Sequence, residues 1–270
     1  MINMFDITES GGLASRQGVA APDEPPPRLS FMGGESMDTQ DIRFKVAAAR
    51  RMLARGGCES MVAGHVSARA DGEDAFYVTP FEYFDETLPD HVVKVGFDLS
   101  PLEGDWQPSP AIQFHAAIYA ERPDVRSVIH THSHFVSVFA TRRRTIGMYN
   151  VVSVLFHDDQ VLYEDDGTRK AVDGKRMAAV LGDKRVIQLK NHGAVIASQS
   201  LEQATIEAMM LEVAARYHIE AEAVGGDEFP VAEVVRGRAQ YRKYFLPNMW
   251  EANLRRLRKS DPELFAAVAG

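Results

Sequence analysis

Two histidines separated by a single residue end a short apolar run of the sequence. His130 and His132 follow Ser127-Val128-Ile129, and alternate residues of a β-strand point to the same face, so both imidazole rings can face one point. Two neutral ring nitrogens on one rigid element suit a divalent cation, because little ordering entropy remains to be lost when the ion binds. The spacing therefore indicates part of a metal site, although a merely polar strand end would show the same pattern.

A third histidine could complete the set of ligands. His192 lies in Asn191-His192-Gly193, at a glycine-marked break between the apolar runs 186–189 and 194–197. A side chain at such a break can face a cleft. We therefore predict that His130, His132 and His192 together hold a divalent metal ion in each chain, and imidazole nitrogen accepts either Mn²⁺ or Zn²⁺.

The elements that must position these residues follow from the apolar periodicity. Strands are predicted at 65–69, 76–79, 92–97, 125–130, 151–156, 185–190 and 194–198, and helices at 38–55, 110–121, 135–140, 170–181 and 201–224. Alternating strands and helices with short connections rich in glycine and proline predict an α/β fold. We expect a central, largely antiparallel β-sheet flanked by helices on both faces.

Composition divides the chain into three stretches. Residues 1–36 are rich in glycine and proline, which predicts a flexible N-terminal arm. Residues 37–226 carry the regular pattern of one domain. Residues 227–270 contain several arginines with Trp250 and Phe265, and we expect a helical C-terminal extension of the same domain.

The overall composition excludes several classes of protein. A chain of 270 residues with 45% hydrophobic residues can bury a substantial core. Its net charge of -8 argues against a nucleic acid or an anionic membrane as the main partner. The single cysteine, Cys58, excludes an intramolecular disulfide and favours a reducing, cytoplasmic location. No stretch reaches the ~18 consecutive apolar residues of a membrane span.

Three strings of the sequence together resemble a known family. They are Gly64-His65-Val66-Ser67-Ala68-Arg69, the string from Pro123 to Ser133, and Lys190-Asn191-His192-Gly193. In this order and spacing they resemble the class II aldolase/adducin family over about residues 40–225. The resemblance implies the fold of that family and places His130, His132 and His192 on its metal ligands. It also implies a small anionic substrate and a homo-oligomer, a four-fold ring with active sites at the subunit boundaries.

Departures from the sugar-phosphate aldolases of the family indicate a different reaction. Ala111 stands four positions ahead of His115, where those aldolases carry the acid that transfers a proton, and alanine cannot transfer one. The matching phosphate-binding strings read Gly64-His65, Thr79-Pro80 and Ser109-Pro110, and a proline has no N–H to offer a phosphate. The Gly-His-x-Ser form resembles the branch that contains adducin-like proteins and decarboxylases of hydroxylated aromatic or heteroaromatic acids.

The leading hypothesis is a divalent-metal-dependent decarboxylase of a small hydroxy-substituted aromatic or pyridine (di)carboxylate. A substrate oxygen bound to the metal would act as the electron sink, and departing carbon dioxide needs no base to start the reaction. One alternative is an aldolase that cleaves a non-phosphorylated hydroxy-keto acid. The other is an adducin-like interaction domain without activity, against which the retention of three histidines argues.

Decarboxylation needs one proton donor, and only a group that titrates near neutrality donates readily at pH 7. His65 and His115 are the catalytic candidates, ahead of His134 and His157, although His115 lies on a mostly apolar helix and could equally be a core residue. The substrate-binding candidates are Arg69, Thr79 and Ser109. The Arg142-Arg143-Arg144 loop could add cations for carboxylates, but a charge run is more often a solvated surface.

Overall fold

A computed structural model describes residues 39–164 and 173–266 of the chain, whose centre is one eight-stranded β-sheet. Its strands are β1 (His65–Arg69), β2 (Ala75–Val78), β3 (Val93–Gly96), β4 (Pro101–Glu103), β5 (Ser127–Thr131), β6 (Gln160–Tyr163), β7 (Val186–Leu189) and β8 (Gly193–Ser198). The strand order is β4-β3-β2-β1-β5-β8-β7-β6, and only β6 and β7 pair in parallel. The predicted largely antiparallel α/β sheet is confirmed.

Eight α-helices accompany the sheet in the part of the chain that the structure describes. They are α1 (Ile42–Arg55), α2 (Gln113–Glu121), α3 (His134–Phe139), α4 (Gly174–Leu181), α5 (Leu201–Ala223), α6 (Val231–Gln240), α7 (Leu246–Ser260) and α8 (Pro262–Ala266). Side-chain caps begin the two longest helices that border the sheet: the Asp41 carboxylate accepts from the N–H groups of Arg43 and Phe44, and Ser200 accepts from the N–H of Gln203. Such caps satisfy amide groups that have no partner within a helix.

Strand alternation divides the hydrophobic core between the two faces of the sheet. Val66 and Ile129 pack in one cluster together with residues of α1 and α5. Their neighbours on the opposite face, such as Val128, pack in a second cluster with residues of α2 and α4. His65 pairs with His130 across β1 and β5, and both have the parity of Val128, so both face α2. The fold therefore places the histidines between the sheet and α2.

The segment 151–156 is the one predicted strand that the structure contradicts. Residues Ser153–Phe156 form a 3₁₀ turn, and all four are buried. The Asn150 side chain accepts from the N–H of Val152, while the N–H of Ser153 donates to the carbonyl of Asn150. A short apolar run has the same composition in a buried strand and in a buried turn, and this local asparagine turn decided the outcome.

The C-terminal stretch is helical as far as it is described. A π-helical turn, Tyr241–Phe245, joins α6 to α7. The end of the chain returns to α1, where Arg51 and Arg55 both contact the buried carboxylate of Asp261. The arm predicted at 1–36 lies outside the described residues. Within residues 39–164 and 173–266, no helix is long and apolar enough to cross a membrane.

Candidate metal centre

Three histidines, two from the end of β5 and one from the turn between β7 and β8, converge. His130 is the fourth residue of β5, His132 follows directly after it, and His192 lies in the turn between β7 and β8. Thr131 pairs with Ala194, so the antiparallel ladder brings the turn beside the strand end. The Nε2 atom of His132 lies 2.8 Å from that of His130 and 2.7 Å from that of His192, and the third separation is 3.3 Å.

The second ring nitrogen of His130 fixes which nitrogen carries its proton. Nδ1 lies 2.9 Å from the carbonyl oxygen of Ala194. A carbonyl can only accept, so Nδ1 carries the hydrogen and Nε2 of the neutral ring presents a lone pair to the other two rings. The strand register that aligns β5 with β8 thus also prepares His130 as a ligand.

Burial keeps the three rings neutral. It lowers the pKa of His130 well below the usual value, with the neighbouring histidines adding to the effect. Burial and, secondly, His192 lower the pKa of His132 to about 4. Burial also lowers the pKa of His192. Neutral imidazoles carry the lone pairs that a metal needs, and no proton competes for them near pH 7.

The cluster fits a divalent cation. Nitrogens held ~2.1 Å from an ion in tetrahedral directions lie about 3.4 Å apart, and the three Nε2 atoms lie at or slightly inside that spacing, between 2.7 and 3.3 Å. Among residues 39–164 and 173–266, this is the one group of potential ligands that converges, and no carboxylate belongs to it. Three neutral ligands leave the ion its full charge and its remaining positions open for substrate.

Two glycines allow the chain to approach the ligands closely. A Cβ atom on Gly193 would lie 2.2 Å from the carbonyl oxygen of Thr131 and 3.1 Å from the His132 ring. A Cβ atom on Gly64, whose φ is +97°, would lie 2.8 Å from the carbonyl oxygen of His130. Both positions therefore need glycine for lack of space, and Gly64 needs it also for its backbone conformation.

Two polar side chains from outside the sheet hold the segment that carries His132. The N–H of His132 donates to Ser60 Oγ at 2.6 Å. The buried carboxylate of Glu212, on α5, accepts from the N–H groups of Phe135 and Val136 at 2.8 and 2.9 Å. These bonds anchor the start of α3 immediately after the ligand. Glu212 is one of two buried carboxylates of α5, the other being Glu207, whereas Glu220 on the same helix is exposed.

The two catalytic candidates lie next to the metal ligands and contact each other. His65 Nδ1 and His115 Nε2 are 2.7 Å apart, and the His65 ring lies 5.1 Å from the His130 ring, measured between centroids. His115 is fully buried behind His65. Burial is the main cause that lowers the pKa of His65 and of His115. Neighbouring histidines add to the effect, and for His65 the charge of Arg50 does so too. His134 and His157 do not join the cluster.

Two of the substrate-binding candidates, Thr79 and Ser109, lie one and two strands beyond β1, on the side away from β5. The N–H of Ser109 donates to Thr79 O and that of Thr79 to Val66 O, which places Thr79 and Ser109 about 10 and 15 Å from β5 at ~5 Å per strand. The hydroxyl of Thr79 accepts from the N–H of Val66, whereas Ser109 Oγ is buried without a partner in the described residues.

Arg69 lies at the opposite end of β1 from His65. Four residues at ~3.3 Å each separate them by about 13 Å, and the guanidinium donates to the carbonyls of Tyr119, Arg122 and Val125. In the 142–144 loop, Arg142 and Arg144 pair with Glu222, and Arg143 lies 3.3 Å from Glu164. The structure brings none of these cations to the three ligands.

Arg50 is a buried cation that the sequence analysis overlooked. Its side chain is 0% exposed, and its terminal nitrogens donate to the carbonyls of Pro80 and Glu82, both at 2.6 Å. Its charge contributes to the lowered pKa of His65, so it lies close to the site. Burial lowers the pKa of Arg50 to about 10, although the charges of Glu82 and Glu86 raise it, so carboxylates already offset part of the buried charge. An arginine at a helical core position, facing inward with Val46 and Leu53, was the available signal.

The comparisons with known proteins agree with this geometry. The model of the Class II Aldolase and Adducin N-terminal domain matches residues 44–219, and the chain belongs to that family. A crystal structure of an aldolase II superfamily protein from Pseudomonas syringae has a TM-score of 0.76 at 26% identity, covering 85% of this chain and 97% of that chain. An L-fuculose 1-phosphate aldolase from Glaciozyma antarctica PI12 has a TM-score of 0.74 at 22% identity, covering 88% and 96%.

Curated relatives include decarboxylases. Two Streptomyces proteins are 30% identical to this chain over 202 residues, which is 72% of the chain. They are a 4-hydroxy-3-prenylphenylpyruvate oxygenase/4-hydroxy-3-prenylbenzoate synthase from Streptomyces roseochromogenus subsp. oscitans (73% of its length) and the decarboxylase NovR from Streptomyces niveus (75%). A 3,4-dihydroxyphthalate decarboxylase from Arthrobacter keyseri is 27% identical over 209 residues, 68% of this chain and 80% of that protein. The decarboxylase branch predicted from the Gly-His-x-Ser string is confirmed as the group that the chain resembles.

Proposed function

We propose that this protein is a divalent-metal-dependent decarboxylase of a small hydroxy-substituted aromatic or pyridine (di)carboxylate. The observation that carries the proposal is the composition of the site: three neutral histidines converge, and no carboxylate of the described residues joins them. Ala111 occupies the position that would supply the aldolase acid. Loss of carbon dioxide needs no base, so a site without that acid suits decarboxylation as long as one proton donor is present, whereas aldol cleavage requires proton removal from a hydroxyl.

His130, His132 and His192 would hold the metal, which supplies a Lewis acid for negative charge that develops on a substrate oxygen. Arg50 adds a buried positive charge near His65, and the part of it that Glu82 and Glu86 do not offset would favour an anionic substrate. His65 is the group nearest to the ligands that can hydrogen-bond the reacting part of the substrate.

Named relatives support the substrate class. A decarboxylase of 3,4-dihydroxyphthalate, an aromatic ring with two hydroxyls and two carboxylates, is among them. Protonation of the ring carbon that bears the carboxylate turns a neighbouring phenolate oxygen into a carbonyl, which accepts the electron pair as carbon dioxide leaves. The pyridine counterpart of this substrate is 3-hydroxy-2-methylpyridine-4,5-dicarboxylate, and we propose both compounds as the first to assay.

The class II aldolase reading remains the second candidate function. The family includes aldolases, and a three-histidine site serves both reactions. It requires another residue to replace the acid absent at Ala111. An adducin-like interaction role without activity has no physical need for three converging neutral imidazoles.

The test of the proposed function begins with the metal. We expect the purified protein to contain about one divalent ion, Mn²⁺ or Zn²⁺, per chain, and His130→Ala, His132→Ala and His192→Ala to abolish both metal content and release of carbon dioxide. His134→Ala removes the next histidine of the same segment, which is outside the cluster, and should keep the metal. Metal content by elemental analysis checks this, and full occupancy in His192→Ala would remove that residue from the site.

We further propose a homo-oligomer, a tetramer as the family resemblance implies, with active sites at subunit boundaries. Several large apolar side chains are exposed on α5, just after it, on α6 and in the π turn: Val213, Tyr217, Val224, Val231, Val235, Tyr244 and Phe245. Val213 and Tyr217 are four residues apart on one helical stripe. An exposed apolar surface of this extent supports burial against a second copy of the chain.

A further inference from the structure

A continuous chain of hydrogen bonds runs from the backbone of β5 to His65. On β1, His65 and Ser67 face α2, where His115 and Tyr119 are four residues apart and so lie on one side of the helix. Tyr119 Oη lies 3.1 Å from the Val128 nitrogen and 2.7 Å from Ser67 Oγ. Ser67 Oγ lies 2.7 Å from His115 Nδ1, and His115 Nε2 lies 2.7 Å from His65 Nδ1.

The hydrogen bond from Val128 to Tyr119 sets the direction of donation along this chain of hydrogen bonds. The N–H of Val128 can only donate, so the Tyr119 hydroxyl accepts from it and directs its own hydrogen to Ser67, its remaining partner in the described residues. Ser67 then has one hydrogen and two acceptors, His115 Nδ1 at 2.7 Å and the carbonyl oxygen of Val128 at 3.2 Å. The shorter contact has the length of a good hydroxyl hydrogen bond, and the longer one does not.

The direction fixes the tautomers of both histidines. Because Nδ1 of His115 accepts from Ser67, the hydrogen of its neutral ring is on Nε2 and is donated to His65 Nδ1. The hydrogen of His65 is then on Nε2. Only one proton fits between two ring nitrogens 2.7 Å apart. All four side chains are at most 3% exposed, and a buried network of this kind favours neutral members.

We propose that His65 acts on the substrate as a neutral hydrogen-bond donor through Nε2–H, and that Tyr119, Ser67 and His115 are positioning residues that impose this tautomer. Nε2 of His65 has no hydrogen-bond partner among the described residues, and the ring lies against His130. A fixed N–H beside the reacting centre stabilises negative charge on a substrate oxygen without proton transfer. In this role His65 donates a hydrogen bond instead of the proton that the sequence analysis assigned to it, and the proton that replaces the carboxylate would come from water. The catalytic consequence rests on the proposed function, whereas the tautomer does not.

The tautomer can be measured by long-range ¹H–¹⁵N correlation spectra of the zinc-loaded protein labelled with ¹⁵N at histidine. We expect the His65 signals to show a protonated Nε2 and an unprotonated Nδ1, and the pattern to persist in His115→Gln, whose terminal amide keeps a donor towards Nδ1. In His115→Leu, and in Ser67→Ala, the fixed tautomer should give way to a mixture. His218, which is buried elsewhere against Phe139 and Tyr149, serves as the unchanged reference. A wild-type His65 protonated at Nδ1 would overturn the proposal.

Kinetic measurements then test the role of the hydrogen-bond chain behind His65. Once a substrate is known, His115→Leu should lower kcat by ~10–100-fold with little change in KM, as for a weakened oxyanion donor. His115→Gln should recover most of the loss, and both variants should retain the metal. Equal kcat in the Leu and Gln variants would refute the positioning role. If no hydroxylated ring acid is decarboxylated, the proposed function fails while the spectra still decide the tautomer.

Discussion

Each ligand of the candidate metal centre is prepared by a different local feature. Strand alternation aligns His130 and His132, the Ala194 carbonyl sets the tautomer of His130, and Gly193 lets the turn that carries His192 approach β5. Because burial keeps the rings neutral, an ion held by them would retain its full charge. No carboxylate of the described residues joins the three histidines. At the residue scale, the proposed decarboxylation rests mainly on this feature.

Ala111 separates the two enzyme hypotheses. Its φ is +66°, so the backbone already carries the cost of a left-handed L-residue, and a longer side chain adds little further strain. In a decarboxylase, Ala111→Glu should lower release of carbon dioxide, because like charges within ~4 Å of each other cost on the order of 4 kcal/mol at an effective dielectric of 20. Ala111→Gln, which has the same shape without the charge, should lose much less.

An aldolase would respond to the same substitution in the opposite direction. Restoring an acid at the family's proton-transfer position should increase release of aldehyde from a hydroxy-keto acid. Carbon dioxide and aldehyde are therefore to be measured side by side on wild type, Ala111→Glu and Ala111→Gln. A gain in aldehyde release confined to the Glu variant would refute the decarboxylase assignment.

At the scale of elements, the site depends on helices that contribute no ligand. Helix α2 supplies the hydrogen-bonded residues behind His65, and α5 supplies the carboxylate that caps α3 directly after His132. Such supporting bonds hold the ligating segment in one geometry. The element that presents the ligands, β5, is itself buried along its whole length.

Glu212 should be much more important for stability than its neighbour on the same helix. Glu212→Ala leaves the part-buried N–H of Phe135 and the buried N–H of Val136 without their acceptor, which should lower the free energy of unfolding by ~2–4 kcal/mol. Glu212→Gln keeps one acceptor and should cost less. Glu220, exposed and paired with Arg216, is the matched control, and its replacement by Ala should change stability by no more than ~0.5 kcal/mol.

Urea unfolding of the three variants measures these differences directly. Metal affinity provides a second reading, since Glu212→Ala should weaken binding through the displaced His132 segment while Glu220→Ala leaves it unchanged. Equal stability of the Glu212→Ala and Glu220→Ala proteins would show that the capping bonds do not contribute.

At the scale of the whole molecule, the exposed apolar stripe of α5 predicts association. Tyr217→Glu places a charge where we expect a subunit boundary, and it should shift the protein towards smaller species in sedimentation at micromolar concentration. Lys175→Glu, an exposed position on α4 on the other side of the sheet, is the control and should leave the oligomer intact. A wild-type protein that sediments as a monomer would contradict the prediction.

The buried histidines also predict how stability depends on pH. Burial first, and then the charges of Arg144 and Arg142, lower the pKa of His218 to about 4, from 6.5. Between pH 6.5 and about 4, His218 is protonated in the unfolded chain but not in the folded chain. The free energy of unfolding therefore falls as the pH drops through this range. The slope from one such group approaches ~1.4 kcal/mol per pH unit. His218→Gln should reduce the slope by about that amount in chemical unfolding measured across this range, and an unchanged slope would refute the assignment.

The sequence by itself determined the features that depend on local pattern. The His-x-His spacing, the glycine-marked turn at His192 and the apolar periodicity of α1 and α5 are properties of adjacent residues. They predicted the convergence of the three histidines, the fold class and the longest helices. Where local pattern is ambiguous it failed, since the buried run 153–156 is a 3₁₀ turn rather than a strand.

Only the tertiary structure decided which distant residues meet. His65 contacts His115 fifty positions away, Glu212 caps a helix more than seventy positions away, and Arg50 donates to a loop thirty positions away. Arg69, in contrast, is bound by carbonyls far from the ligands. Strand register and helix packing set these contacts, because they bring together side chains whose spacing along the chain carries no periodic signal.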